Sequence, residues 1–255
     1  MTERTTATPE DAIARNLNNV QDAIVAACAR AGREPSTVNL IVVTKQRSPG
    51  EIVLALKHGV RHIGENRVEE ASQKFGAVRD QLPPGIEPPV WHMIGHVQSR
   101  KARDVVEHFA VIHSLDRLKL AQRYQRFAEE TDTRPRVLLE MNVSGEESKQ
   151  GVLAADWENS AVIRQSLWEF VARLVGLSHL QIVGLMTMAP YWSEAERTRP
   201  VFATLRKLRD ALREDFPQLA WRELSMGMTN DYPIAIEEGA TMVRIGRAIF
   251  GERSK

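Results

Sequence analysis

Short apolar segments alternate with longer amphipathic segments along nearly the whole chain. The apolar segments are rich in β-branched residues and lie at 38–44, 60–64, 90–95, 110–115, 136–143, 181–187, 222–226 and 241–246. The segments between them are charged and follow the helical period; examples are 66–79, 116–130, 157–175 and 193–215. Strands that are apolar on both faces and separated by helices predict a parallel sheet covered by those helices.

A further helix precedes the first of these strand–helix units. Thr8 and Pro9 are typical of a helix start, with a capping hydroxyl followed by proline in the first turn. The apolar positions that follow have helical spacing and predict one buried stripe: Ile13, Leu17, Val20, Ile24 and Cys28. We expect residues 1–8 to be a disordered N-terminus and residues 9–255 to form one domain.

Eight strand–helix units after one leading helix predict a closed (β/α)8 barrel of the TIM type, in the α/β class. A doubly wound open sheet is the alternative. It usually has fewer strands, and no G-x-G-x-x-G motif opens a helix in this sequence. The barrel is therefore the favoured fold.

Composition and charge exclude several classes of protein. The 34 basic and 33 acidic residues give a net charge of +1, which does not indicate a nucleic-acid or membrane partner. The single cysteine fits a reducing compartment, and no apolar run reaches the ~18 residues that span a bilayer. The polar start lacks the apolar stretch of a signal peptide. We expect a cytoplasmic protein.

Lys45 stands at the carboxyl end of the first predicted strand, where barrels place their chemistry. Because that strand is apolar on both faces, the lysine stem should be buried and the amine should face the barrel mouth. Burial lowers the pKa of a lysine amine, and a neutral amine can attack an aldehyde to form a Schiff base. The alternative is a surface lysine whose stem packs against the protein while its amine stays in water.

The last two predicted strands are followed by glycine-containing turns, at Gly227 and Gly246. Barrels often bind phosphate at these turns, and glycine lets the backbone approach an anion closely. Arg244 is the last charged residue of a nearly all-apolar strand, so its guanidinium needs an anion or another acceptor. A phosphate site combined with a Schiff-base lysine indicates pyridoxal 5′-phosphate.

Two histidine pairs have the four-residue spacing with which helices bind zinc, His58 with His62 and His92 with His96. Segment 90–95 is a predicted strand, however, and the first pair crosses a helix–strand junction. No third ligand is indicated, so we predict no metal site.

Several motifs in order resemble the pyridoxal phosphate homeostasis protein family, whose members are alanine-racemase-like barrels. They include "VVTK", "HIGENRVEEASQKF", "WHMIGHVQSRK", "MNVSGEESKQGV" and "LSMGMTNDYPIAIEEGATMVRIGRAIFG". The resemblance covers residues 10–252 and implies a single barrel of fold type III, without the C-terminal β domain of the related racemases.

The resemblance also implies roles for individual residues. Lys45 matches the lysine that forms the Schiff base, Arg244 the arginine that faces the pyridine nitrogen, and Asn66 a residue near the cofactor ring. The implied phosphate-binding turns contain Ser225, Met226, Gly227, Gly246 and Arg247. Family members often carry a second lysine where this chain has Arg47, and a threonine where it has Arg247.

The function implied by the resemblance is intracellular homeostasis of pyridoxal phosphate, by buffering the cofactor or delivering it to apo-enzymes. We expect no robust turnover, because arginine accepts no hydrogen bond and leaves the ring nitrogen unprotonated, which weakens the electron sink. An amino-acid racemase is the alternative, with Lys45 and Tyr191 as its bases. Lys149 is either a solvated loop residue or a second resting place for the cofactor. We expect a monomer or a weak homodimer.

Overall fold

The computed structural model describes residues 8–252. The segment predicted to be disordered, apart from its last residue, lies outside the described residues, as do residues 253–255. Thr8 is described, and its hydroxyl accepts a hydrogen bond from the N–H of Asp11. The Asp11 carboxylate in turn accepts from the Thr8 N–H, which completes a capping box.

Within residues 8–252, nine strands make up the sheet: β1 (Asn39–Val43), β2 (His62–Glu65), β3 (Val90–Met93), β4 (Val111–Leu115), β5 (Arg136–Asn142), β6 (Val152–Leu153), β7 (Gln181–Met186), β8 (Glu223–Ser225) and β9 (Met242–Ile245). All pairings are parallel, and the pairings of β9 with β1 and of β4 with β5 close the ring. The chain is thus a closed eight-stranded barrel, as predicted. β6 pairs only with β5 and was not predicted, because two residues show no periodicity.

Nine α-helices accompany the strands in the described part of the chain: α1 (Pro9–Arg30), α2 (Pro49–Lys57), α3 (Val68–Gln81), α4 (Ala102–His108), α5 (Leu118–Glu130), α6 (Ala161–Ala172), α7 (Arg199–Asp215), α8 (Tyr232–Glu237) and α9 (Arg247–Phe250). The predicted stripe of α1 is buried, and α1 packs against α8 and α9. Asn16 of α1 donates to the carbonyl oxygen of Ile249, at 2.8 Å. No helix among residues 8–252 is long and apolar enough to cross a membrane.

The buried apolar residues form two cores, one inside the barrel and one outside it. The larger core lies between the strands and the helices. The smaller core fills the barrel interior and contains Ile41, Ile94, Val111, Leu138, Val183, Met186 and Met242. Polar side chains are also buried in the interior, among them His92, His113 and Arg244. Because the inner core fills the barrel, a ligand has to bind outside that core, as at the carboxyl ends of the strands.

Candidate functional site

A cavity of about 480 Å³ opens at the carboxyl end of the barrel. Its lining comes from the segments after β1, β5, β7, β8 and β9. The basic side chains in the lining are Lys45, Arg47, Lys149, Arg244 and Arg247. Such a concentration of positive charge, in a cavity of the size that binds small molecules, favours an anionic ligand.

Lys45 lies in a turn two residues after β1, half-buried, and lines this cavity. The residue before it is held by a buried ion pair. The hydroxyl of Thr44 donates to Glu65 Oε1 at 2.6 Å, and the Thr44 carbonyl accepts from Lys74 Nζ at 2.8 Å. Lys74 also donates to Glu65 Oε1 at 2.8 Å. The start of the turn is therefore fixed by α3, which carries Lys74.

The residue after Lys45 is held by the same helix. Lys74 Nζ lies 2.6 Å from Glu70 Oε1, and that carboxylate accepts a hydrogen bond from the N–H of Gln46. Gln46 has a φ of 60°, in the left-handed region that few non-glycine residues adopt. The ion-pair cluster thus supports both neighbours of Lys45 and stabilises a costly backbone conformation.

Arg244 is buried in the wall of the cavity, on β9. Its Nη1 donates to Ser225 Oγ at 2.5 Å, and its Nη2 donates to the carbonyl oxygen of Thr187 at 2.9 Å. Burial lowers the pKa of Arg244 to about 10, which leaves the guanidinium charged at neutral pH. Within residues 8–252, these two acceptors engage two of the five N–H groups of the Arg244 guanidinium. The other N–H groups remain as donors for a ligand.

Glu140 is a buried carboxyl group on β5. Burial raises the pKa of Glu140 to about 7, and the charge of Asp116 raises it further, while Arg244 opposes the rise. Its Oε2 atom has no hydrogen-bond partner among residues 8–252. Burial without a partner for this oxygen therefore favours the neutral form of Glu140 more than at an exposed glutamate.

Gly227 and Gly246, in the two predicted turns, are required to be glycine for different structural reasons. Gly227 has a φ of 91°, and a Cβ atom there would lie 2.6 Å from the Cβ of Ala235. A Cβ atom at Gly246 would lie 2.9 Å from the carbonyl oxygen of Val43, at the end of β1. Glycine at 246 therefore lets the turn after β9 pack against the strand that leads to Lys45.

The structure brings together only part of the predicted set. Lys45, Arg244, Gly246 and Arg247 line the cavity, whereas Ser225, Met226 and Gly227 do not. The Met226 N–H donates to the carbonyl of Met242, so this backbone donor is not available to a phosphate group. The Ser225 hydroxyl is buried against Arg244. Ser225 therefore does not line the cavity itself, but it contacts Arg244, which does.

Asn66 lies apart from the cavity that Lys45 lines. It lines a second space of about 520 Å³ after β2 and β3, together with His96, Arg100 and Lys101. Its Oδ1 atom is buried and has no hydrogen-bond partner among the described residues. Asn66 and Lys45 therefore do not line the same cavity, although Asn66 was predicted to lie near a ligand bound at Lys45.

Several lining residues were missed by the sequence reasoning, among them Trp192, Asn230 and Asp231. Asp231 Oδ1 accepts the N–H of Met228 at 2.6 Å and so closes the turn after β8. The Asn-Asp dipeptide in "MTNDYP" is typical of such a turn and could have indicated it.

Histidines from the two pairs considered for zinc contact each other across strands. His62 and His92 belong to different predicted pairs, but their rings contact each other, with Nδ1 of His62 3.0 Å from Nε2 of His92. Among residues 8–252, no group of three or more His, Cys, Asp or Glu side chains has an arrangement that could hold a metal ion.

Comparison with known proteins places this geometry in a family. The family model "Alanine racemase, N-terminal domain" matches residues 10–254. The pyridoxal phosphate homeostasis protein of Aquifex aeolicus is 39% identical over 237 residues, covering 93% of this chain and 96% of that protein. Its counterpart in Escherichia coli K12 is 37% identical, covering 94% and 97%. The chain belongs to the pyridoxal phosphate homeostasis protein family.

Solved structures agree with this family and its fold. PipY of Synechococcus elongatus, solved with PLP bound, is 37% identical with a TM-score of 0.75, covering 94% of this chain and all of that chain. An alanine racemase of Clostridium difficile shares 16% identity with a TM-score of 0.66, and the match covers 96% of this chain but 60% of the racemase. At that identity the likeness concerns the barrel fold alone.

Proposed function

We propose that the barrel, residues 9–255, binds pyridoxal 5′-phosphate as a Schiff base on Lys45 and acts in homeostasis of this cofactor. The single observation that carries the proposal is the basic cavity in which Lys45 and Arg244 lie together at the carboxyl end of the barrel. The names of the relatives and the PLP-bound PipY structure support the same ligand. The protein would buffer the cofactor or deliver it to apo-enzymes.

The residues present fit the cofactor. Arg244 is a buried cation whose remaining N–H groups suit the pyridine nitrogen as acceptor. Arg47 and Arg247 supply positive charge for the phosphate, and Gly246 lets the backbone approach it. Asn66 lines the separate space after β2 and β3, so its proposed place beside the ring rests on the family resemblance alone.

When bound, pyridoxal phosphate supplies an aldehyde that condenses with amines and a ring that withdraws electrons. What the chain contributes is an amine fixed at the cavity, a guanidinium that can only donate hydrogen bonds, and cations for the phosphate. A donor at the ring nitrogen keeps that nitrogen unprotonated and limits the withdrawal of electrons. This arrangement suits holding the cofactor more than using it.

Trapping with borohydride tests the site directly. The purified chain, titrated with pyridoxal phosphate, is expected to develop a visible absorption band that borohydride removes. Peptide mapping of the reduced protein should find the pyridoxyl group on Lys45, because this lysine lies in the turn directly after β1 and lines the cavity that contains Arg244. Absence of the band, or a label confined to Lys149, would contradict the proposal.

The racemase alternative is tested by a different experiment. Tyr191 lines the cavity but is 79% exposed, so a second base held in a fixed position is not evident there. Incubation of the loaded protein with L-alanine and other L-amino acids is expected to give D-isomers at well under about 1 s⁻¹, the lower end of ordinary enzyme turnover. Chiral chromatography measures this rate, and turnover in the ordinary enzyme range would favour the racemase.

A further inference from the structure

A chain of hydrogen bonds crosses the barrel interior beneath the cavity. Nδ1 of His62 lies 3.0 Å from Nε2 of His92, and Nδ1 of His92 lies 2.9 Å from Nε2 of His113. Nδ1 of His113 is 2.8 Å from Ser225 Oγ, which accepts from Arg244 at 2.5 Å. Three strands, β2, β3 and β4, therefore contribute one histidine each to a path that ends at the cavity arginine.

The path begins near solvent and ends at the cavity. His62 is the first residue of β2, at the end of the barrel opposite the mouth, and it is half-buried. His92, His113 and Ser225 are fully buried, next to the apolar residues of the inner core. Polar groups in such surroundings are costly unless each finds its partners, and both nitrogens of His92 and of His113 do.

Arg244 determines the direction of donation along this series of hydrogen bonds. The guanidinium of Arg244 can only donate, so Ser225 Oγ accepts from it. The hydroxyl proton of Ser225 then has one acceptor within the part of the chain that the structure describes, Nδ1 of His113. We assign the tautomers from this order: His113 carries its proton on Nε2, and the same holds in turn for His92 and His62.

The charge state of the rings agrees with this order. Burial lowers the pKa of both His92 and His113 far below the ordinary value, and the charge of Arg244 lowers that of His113 further. Burial and the charge of Arg136 lower the pKa of His62, while Glu223 opposes them. Neutral imidazole has one donor and one acceptor nitrogen, as each position in the chain requires.

We propose that His113, His92 and His62 are positioning residues, which hold Ser225 as an acceptor and thereby orient the guanidinium of Arg244 toward the ligand. That the ligand atom is the pyridine nitrogen of pyridoxal phosphate rests on the proposed function. Because Ser225 and the Thr187 carbonyl fix two edges of the guanidinium, the remaining N–H groups keep one direction. The orientation is built into the barrel before any ligand arrives.

The tautomers can be read on the wild-type protein without the cofactor, with variants used only to assign the signals. Protein labelled with ¹⁵N-histidine should show His62, His92 and His113 as Nε2–H tautomers, with His92 and His113 uncharged from about pH 6 to pH 8. Single His→Gln variants assign the resonances. An Nδ1–H tautomer at His113, or a charged ring at His92 or His113, would overturn the order of donors on which the inference depends.

Two variants of His113 separate positioning from packing. Asparagine offers an acceptor oxygen close to the place of Nδ1, whereas leucine fills the apolar space and offers none. His113→Leu is expected to weaken binding of pyridoxal phosphate about tenfold and to shift the visible band, because Ser225 loses the acceptor that holds it in place for Arg244. His113→Asn should recover most of both. His58→Gln, on the outer face after α2, is the control and should match the wild type.

The outcomes distinguish this inference from the proposed function. If the wild type binds no pyridoxal phosphate, the proposed function fails, while the tautomers still decide the hydrogen-bond chain. If the wild type binds and His113→Leu equals or exceeds His113→Asn in affinity, the histidine serves packing and the positioning role is excluded. If neither variant folds, the tautomer measurement on the wild type decides.

Discussion

Replacing Lys45 with alanine is expected to abolish the visible band and the borohydride-stable adduct that pyridoxal phosphate gives with the wild type. The reason is chemical, since alanine offers no amine to the aldehyde, and geometric, since Lys45 lies in the same cavity as Arg244. Folding should be little affected, because the side chain is half-buried at the rim and outside the inner core. Absorbance, borohydride reduction and mass spectrometry of the intact protein measure the loss.

Two further variants show whether covalent bonding or charge is responsible. Lys45→Arg keeps the positive charge but cannot readily form a Schiff base, so it should retain weak binding without the band. Lys149→Ala removes the other lysine of the cavity and should keep the band. If Lys45→Ala retains a band that borohydride reduces as in the wild type, or if Lys149→Ala loses it, the assignment of Lys45 is wrong.

Local sequence patterns were enough to predict the strands of the barrel. They were not enough to predict where α7 begins. Each of the eight predicted apolar segments overlaps one barrel strand, because strands buried on both faces show as unbroken apolar runs, and only β2 extends past its predicted segment, by one residue. The predicted helix 193–215 begins too early, since a 3₁₀ turn at Ala195–Thr198 precedes α7. Charged residues in that turn continue the helical pattern and conceal the boundary.

A single residue at a strand end was enough to single out Lys45 and Arg244, and the structure brings both to one cavity. The site was not predictable where partners come from different strands. His92 and His113 each interrupt an apolar strand, which indicates a buried polar group in need of a partner. Which partner it finds depends on strand register, which the spacing along the sequence does not reveal. The partner of the Met226 N–H depends on register in the same way, since this group donates to the carbonyl oxygen of Met242 on β9.

Lys74→Met is expected to destabilise the fold by about 3–5 kcal/mol at neutral pH, the usual cost of removing one member of a buried ion pair. The Lys74 side chain is 7% exposed and that of Glu65 is fully buried, so water cannot replace the lost partner. The turn that carries Lys45 should loosen as well, because the Thr44 carbonyl also loses its donor. Urea unfolding measures the stability, and binding of pyridoxal phosphate reports on the turn.

The cost should depend on pH in a defined direction. Burial raises the pKa of Glu65, and the hydrogen bond from Lys74 opposes that rise. Without Lys74 the carboxyl group keeps a folded-state pKa above its unfolded value, so the folded state binds the proton more tightly. Stability of the variant therefore falls as pH rises through the folded-state pKa. Its deficit relative to the wild type should be smaller near pH 4 than near pH 8.

Matched variants show that the deficit comes from the uncompensated charge. Lys57→Met removes an exposed lysine of α2 and should change stability by no more than about 0.5 kcal/mol. Adding Glu65→Gln to Lys74→Met removes the uncompensated charge, so the double variant should be more stable near pH 8 than Lys74→Met alone. A deficit that is the same at both pH values, or no larger than that of Lys57→Met, would contradict the role of the ion-pair cluster. Recovery of stability without recovery of cofactor binding would show that Lys74 positions the Lys45 turn in addition to stabilising the fold.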